Sequence, residues 1–172
     1  NASFYGARLG ARQINIAYNY GDKYVYVSNL NPKTANNLQA SVQVFDFNGK
    51  MIFEKSEKVS VNGNASQKTV ALPNTKDISK VYFLKLNLKD EKGTTIADNF
   101  YWLSTQDDVY DFSKSSWIHT PLKEFADFKS LDQLPKVKIE TENQIKLEKD
   151  EYEVTVQLRN PTKNIAFLIE LS

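Results

Sequence analysis

The chain has 172 residues, with 22 basic and 21 acidic side chains, one His, no Cys and 12% aromatics. The near-neutral balance, with basic residues spread along the chain, argues against a nucleic-acid partner. Absence of Cys excludes disulfides and thiolate metal sites, one His leaves little for histidine-based chemistry, and no stretch approaches the roughly 18 apolar residues that span a bilayer.

Asn1-Ala2-Ser3 reads like the remnant of a cleaved expression tag, so residues 1–2 are set apart. From Gln13 to Ser104 the pattern has period two. Ile14, Ile16, Tyr18 and Tyr20 alternate with small or polar residues, Gly21-Asp22 turns the chain, and Tyr24–Val27 returns as the second arm of a hairpin. Ala40–Phe47 meets Asn48-Gly49 and continues through Met51, Ile52 and Phe53, which predicts a hairpin closed by a type I′ turn. Gln67–Leu72, Lys80–Leu88 and Thr95–Ser104 complete about seven strands, with turn signals about every 8–12 residues, the signature of an immunoglobulin-type sandwich. In the last strand both faces are apolar, with Phe100 and Trp102 on one and Tyr101 and Leu103 on the other, so a further layer is expected over its outer face.

Residues 105–135 are acidic yet rich in aromatics, among them Tyr110, Phe112, Trp117, Phe125 and Phe128. A flexible linker would be poor in such residues. The segment is therefore expected to be ordered and packed on the sandwich. Leu122, Phe125, Phe128, Leu131 and Leu134 recur at helical spacing and predict helical turns ended by Pro135. From Lys136 strands resume at Val137–Ile139, Tyr152–Leu158 and Ile165–Leu171, three or four in all, which is the beginning of a second sandwich rather than a complete one. The apolar run at the end, with no turn after it, is expected of an excised piece of a longer protein. The reading is all-β: an immunoglobulin-like antiparallel β-sandwich at 3–104, an ordered linker at 105–135, and a partial second immunoglobulin-like domain at 136–172.

The side chains that could carry chemistry are few. Asp107, Asp108 and Asp111 form a tight acidic group, but glycoside hydrolysis needs two carboxyls held across a bond, and adjacent acids on irregular chain usually cap turns or face water. They lack the loop pattern of a calcium site. His119 with Ser115 or Ser116 and Asp111 has the composition of a triad without a nucleophile elbow, and a single His packing beside Trp117 is the simpler account. Tyr18, Tyr20, Tyr24 and Tyr26 flank one turn and could form an aromatic platform for a sugar ring, although cross-strand pairing or burial explains them as well. Phe100, Trp102, Trp117 and Phe125 are expected to pack between domains. Asn64-Ala65-Ser66 matches a glycosylation acceptor, a short pattern met often by chance. No catalytic residue, metal site or cofactor is assigned.

Asp98-Asn99-Phe100-Tyr101-Trp102-Leu103-Ser104 carries a family resemblance, joined by Ser116-Trp117, Thr120-Pro121, Phe125-Ala126-Asp127 and Leu134-Pro135-Lys136-Val137. Asn160-Pro161-Thr162, Ile165-Ala166-Phe167, Tyr5-Gly6-Ala7, and Tyr18 ahead of Val25–Val27 agree in order and spacing. Together they resemble the C-terminal immunoglobulin-like domains of glycoside hydrolase family 2, in the branch of exo-β-D-glucosaminidases and β-mannosidase-like enzymes. The resemblance implies a non-catalytic accessory region whose partners are the catalytic TIM barrel and remaining domains of a parent glycosidase, which is periplasmic or secreted. It also implies that strands beyond Ser172 complete the second sandwich. Without them, residues 136–172 are expected to associate as a homodimer. The rival readings are a carbohydrate-binding module and a generic adhesion or interaction sandwich; neither a membrane nor a nucleic acid is an expected partner.

Overall fold

The computed structural model describes residues 2–74, 78–148 and 151–169. The chain divides into two compact units, Asn1–Phe128 and Lys129–Ser172.

The first unit opens with helix α1 (Ala2–Gly10), which period-two reasoning did not foresee. Seven strands follow: β1 (Ile14–Asn19), β2 (Tyr24–Asn29), β3 (Ala35–Phe45), β4 (Met51–Val61), β5 (Ala65–Ala71), β6 (Val81–Lys89) and β7 (Thr95–Ser104). A three-stranded sheet in the order β1-β2-β5 faces a four-stranded sheet in the order β4-β3-β6-β7, all neighbours antiparallel. The alternation expected of an immunoglobulin-like sandwich is thus realised. Ile16, Val25, Val27 and Val70 enter the core from one sheet, and Val42, Val44, Leu84, Leu86 and Leu88 from the other. β-branched residues dominate this list because their stiff side chains suit a pleated surface.

The Asn48-Gly49 hairpin forms, but not through a type I′ turn. Gly49 has φ 80° while Asn48 stays out of the left-handed region. The turn spans Asp46–Gly49, with Gly49 N–H donating to the Asp46 carbonyl at 3.0 Å. The Asp46 carboxylate accepts from the amides of Asn48 and Lys50. This side-chain capping of a longer loop outcompetes the two-residue turn. The β6–β7 hairpin repeats the device: Asp90 accepts from the amides of Lys92 and Thr94, and Gly93 has φ 81°.

The outer face of β7 is covered in part. Phe83, directly opposite Trp102 across the β6–β7 ladder, lies outside the main core yet is 0% exposed. Phe100 stacks on it with ring centroids 5.8 Å apart. Burying a ring of that size contributes roughly 1.5–3 kcal/mol. The double apolar face read from the sequence is therefore a second, smaller packing site on the same sandwich.

The segment after β7 differs from its expected form. Leu122 lies not in a helical turn but in strand β9 (Leu122–Glu124), which pairs with β8 (Val109–Tyr110). Among the described residues Phe112–Lys114 and, in the second unit, Lys129–Gln133 form 3₁₀ turns, the latter holding Leu131 as the spacing predicted. The first is tied to Pro121 by the Asp111 amide at 2.8 Å, so local ladder pairing overrides the third-residue periodicity. Within the first unit the segment is held by polar contacts. Lys23 pairs with Asp107 at 2.8 Å, Lys80 with Asp127 at 3.5 Å, the Ala126 amide donates to Asp108, and Gln106 donates to the Phe125 carbonyl. Phe112, Trp117 and Phe125, expected to pack on the sandwich, face outward instead.

The second unit is a hairpin of β10 (Glu140–Glu148) and β11 (Glu151–Arg159). Val137–Ile139 lies before the ladder, and Ile165–Ile169 is irregular, with Leu168 at φ 50°, so the described residues hold two strands rather than three or four. Residues 170–171 of the last expected strand lie outside the described residues. Ile145 faces Val154 and Leu147 faces Tyr152, while Val156 and Leu158 share their side. The opposite face carries Glu142, Gln157, Gln144, Thr155, Lys146 and Glu153.

Candidate functional site

The four tyrosines around the first turn do not form one platform. Register sets Tyr18 opposite Val25 and facing the core, whereas Tyr24 and Tyr26 share the outer side with Asn19 and Ala17. A period of two makes this split unavoidable. On the outer side the Lys68 ammonium sits 3.6 Å from the Tyr24 ring centroid and 3.0 Å from Asp22. The Tyr26 hydroxyl donates to the same carboxylate at 2.7 Å. The Tyr26 hydrogen bond, followed by that of Lys68, holds the Asp22 carboxyl below its ordinary range. Asp22 in turn raises Lys68. The face of Tyr24 is thus already occupied by a cation of its own chain.

Tyr18 and Tyr20 belong to a different cluster, at the seam where β1 meets the edge strand β7. Tyr18 and Tyr20 meet edge-on at 5.0 Å, and both contact Tyr101, at 6.0 and 6.3 Å. The Tyr18 amide donates to the Tyr101 hydroxyl at 3.2 Å, and Asn99 donates to the Ile16 carbonyl at 2.7 Å, which locks the seam. Burial, reinforced by Tyr82 and Asp107, pushes the Tyr18 phenol up, and burial followed by Tyr101 does the same to Tyr20.

This cluster forms one wall of an open cleft of about 900 Å³. Phe100 and Trp102 from β7 form another wall, and the segment after β7 supplies Asp107, Asp108, Tyr110 and Phe128. The sequence separated Tyr20 from Phe100 and Trp102 by roles, a sugar platform against domain packing; the structure brings them together. Tyr110 and Phe128 were not singled out, though the aromatic-rich segment and the doubly apolar β7 were the signals.

The acidic group is dispersed. Asp107 pairs with Lys23, and Asp108 accepts from Ala126. Asp111 is largely buried and accepts from Ser113 at 2.5 Å, with Lys114 and Lys123 each at 3.7 Å. The triad does not assemble either. Ser115 pairs with Thr120, and Ser116 bonds the backbone of His119 rather than its imidazole. These bonds close a loop whose tip holds Trp117 at 95% exposure next to exposed Ile118. Phe125 is likewise exposed. No group of three or more His, Cys, Asp or Glu side chains that could hold a metal occurs among the described residues. No helix among them is long and apolar enough to cross a membrane.

Residues 22–106 match the mannosidase Ig/CBM-like domain, and residues 117–172 match the exo-β-D-glucosaminidase Ig-fold domain. An exo-β-D-glucosaminidase of Arthroderma benhamiae is 30% identical over 99% of this chain and 19% of the relative. One from Hypocrea jecorina is 32% identical over 77% of this chain and 15% of the relative. A crystal structure of the exo-chitosanase CsxA of Amycolatopsis orientalis superposes with a TM-score of 0.86 at 27% identity, over 94% of this chain and 20% of that one. The chain therefore spans about a fifth or less of these proteins' length. It belongs to the immunoglobulin-like β-sandwich domains of glycoside hydrolase family 2, in the exo-β-D-glucosaminidase branch.

Proposed function

We propose that the chain is a non-catalytic accessory region of a family 2 glycosidase acting on β-linked glucosaminides, and that it buttresses the catalytic barrel of the same polypeptide. The supporting observation is that the relatives named exo-β-D-glucosaminidase are roughly five times as long as this chain, while the family models matched at 22–106 and 117–172 both describe immunoglobulin-like domains. Its clustered carboxylates are each engaged by a local amide, hydroxyl or lysine, which is structural use rather than acid–base use. The barrel would dock on the loop around Trp117, since an exposed Trp beside exposed Ile118 has the composition of an interface hot spot. A polymer-degrading parent would work in the periplasm or outside the cell.

The test is an assay of the purified chain on aryl β-glucosaminide, β-mannoside and β-galactoside. No turnover is expected. Turnover that is abolished by Asp107→Asn, Asp108→Asn or Asp111→Asn would overturn the reading. A second reading, carbohydrate binding, is favoured by the aromatic cleft and by the CBM-like character of the domain matched at 22–106.

A further inference from the structure

We infer that the cleft between the β1–β2 turn and edge strand β7 is a subsite for a cationic amino sugar, a β-linked glucosaminyl unit of a polysaccharide; this rests on the carbohydrate-binding reading above. The first argument is shape and stacking surface. The cleft is concave, and Tyr20, Phe100, Trp102 and Tyr110 all line it while retaining substantial exposure. Exposed aromatic rings around a cavity suit the apolar face of a pyranose, and sugar hydroxyls at the ring edge remain in water.

The second argument is charge. Among the described residues, Asp107 and Asp108 are the only charged side chains that line the cleft, with no Lys, Arg or His beside them in the lining. A carboxylate pair beside π-faces attracts an ammonium group through both ion pairing and the ring quadrupole. Neutral hexoses gain only the stacking half of that arrangement, and uronic acids are repelled. Lys23, which pairs with Asp107, lies outside the lining, and both partners are well exposed. Such a surface pair contributes little, and a carboxylate has acceptor sites for a second donor. Asp108 keeps one oxygen on the Ala126 amide, which fixes the carboxylate at the rim.

Titration calorimetry of the chain at low salt would use three trisaccharides: fully deacetylated β-1,4-glucosamine, its N-acetylated form, and the glucose trimer. The deacetylated trimer is expected to bind in the millimolar range or tighter, and about tenfold more tightly than either neutral trimer. Asp107→Asn with Asp108→Asn should erase that preference while leaving the weak neutral binding. Asn at 108 can still accept from the Ala126 amide, so the fold is kept. Trp102→Ala should weaken all three sugars. Tyr20→Ala, a change at an exposed ring, should do the same if the Trp102 variant misfolds. Equal affinity for charged and neutral trimers, no binding of the deacetylated trimer, or binding indifferent to both aromatic substitutions would overturn the assignment. Those results would leave the accessory role standing, because that role is read from turnover and not from sugar affinity.

Discussion

Asn29 is wholly buried in a sandwich whose core is mostly aliphatic. Its Nδ2 donates to the carbonyls of Lys33, Val61 and Asn62, and its Oδ1 accepts from the Asn31 amide. One side chain thus stitches the end of β2 to the following loop and to the end of β4. An Asn29→Asp change would turn the donating edge into an acceptor facing three carbonyls. A buried polar group left unpaired costs about 1–3 kcal/mol, more when charged. We expect equilibrium unfolding to show a loss of about 3 kcal/mol. A variant as stable as the parent chain would show that these bonds matter little. The sequence analysis does not single out this Asn, because a buried amide and a turn amide look alike until the carbonyls around it are placed.

At the scale of elements, the Asp46–Gly49 and Asp90–Gly93 turns show what each link of the chain contributes. Both place a glycine at φ near 80°, where a Cβ meets the carbonyl oxygen. Gly93→Ala should cost about 1–2 kcal/mol, whereas Gly6→Ala in helix α1, with open space around the site, should be neutral or slightly stabilising. Thermal melts of the two variants decide it, and equal effects would contradict the turn assignment. The strands themselves were legible because one buried face per sheet forces a strict period of two, as in Leu84, Leu86 and Leu88. Helix α1 was not, since Phe4, Tyr5 and Leu9 remain exposed and write no clear core stripe. The helical spacing misled at Leu122, because β8–β9 pairing, a contact between segments, decided the backbone there, and held at Leu131, which lies in the 3₁₀ turn Lys129–Gln133. The cleft was half legible: Tyr20, Phe100 and Trp102 were singled out, but their convergence depends on β1 lying beside β7, which no local pattern encodes.

For the whole molecule, the two units make different demands on their surroundings. In the β10–β11 hairpin, six apolar side chains on one face are 37–73% exposed, and among the described residues no further strand pairs with either edge. A two-stranded sheet is marginal in water, and an open edge recruits other chains. We propose that copies of the chain associate through this hairpin. Light scattering should show a mass that rises with concentration, and Val154→Lys should return the chain to a monomer. A strict monomer at every concentration would refute the association. The first unit has its own core, and one of its outward apolar features is the Trp117 loop, next to Asp111, which is engaged by Ser113 and two lysines. If the domain supports a barrel and performs no chemistry, that loop should affect stability and leave the chemical step alone. The direct measurement is Tm alongside kcat on an aryl β-glucosaminide for the full-length parent carrying Trp117→Ala with Ile118→Ala. The expected result is a Tm lowered by about 3 °C or more with kcat at moderate temperature held within about twofold. A collapse of kcat with Tm unchanged would contradict the account, because it would place this loop in the catalytic machinery.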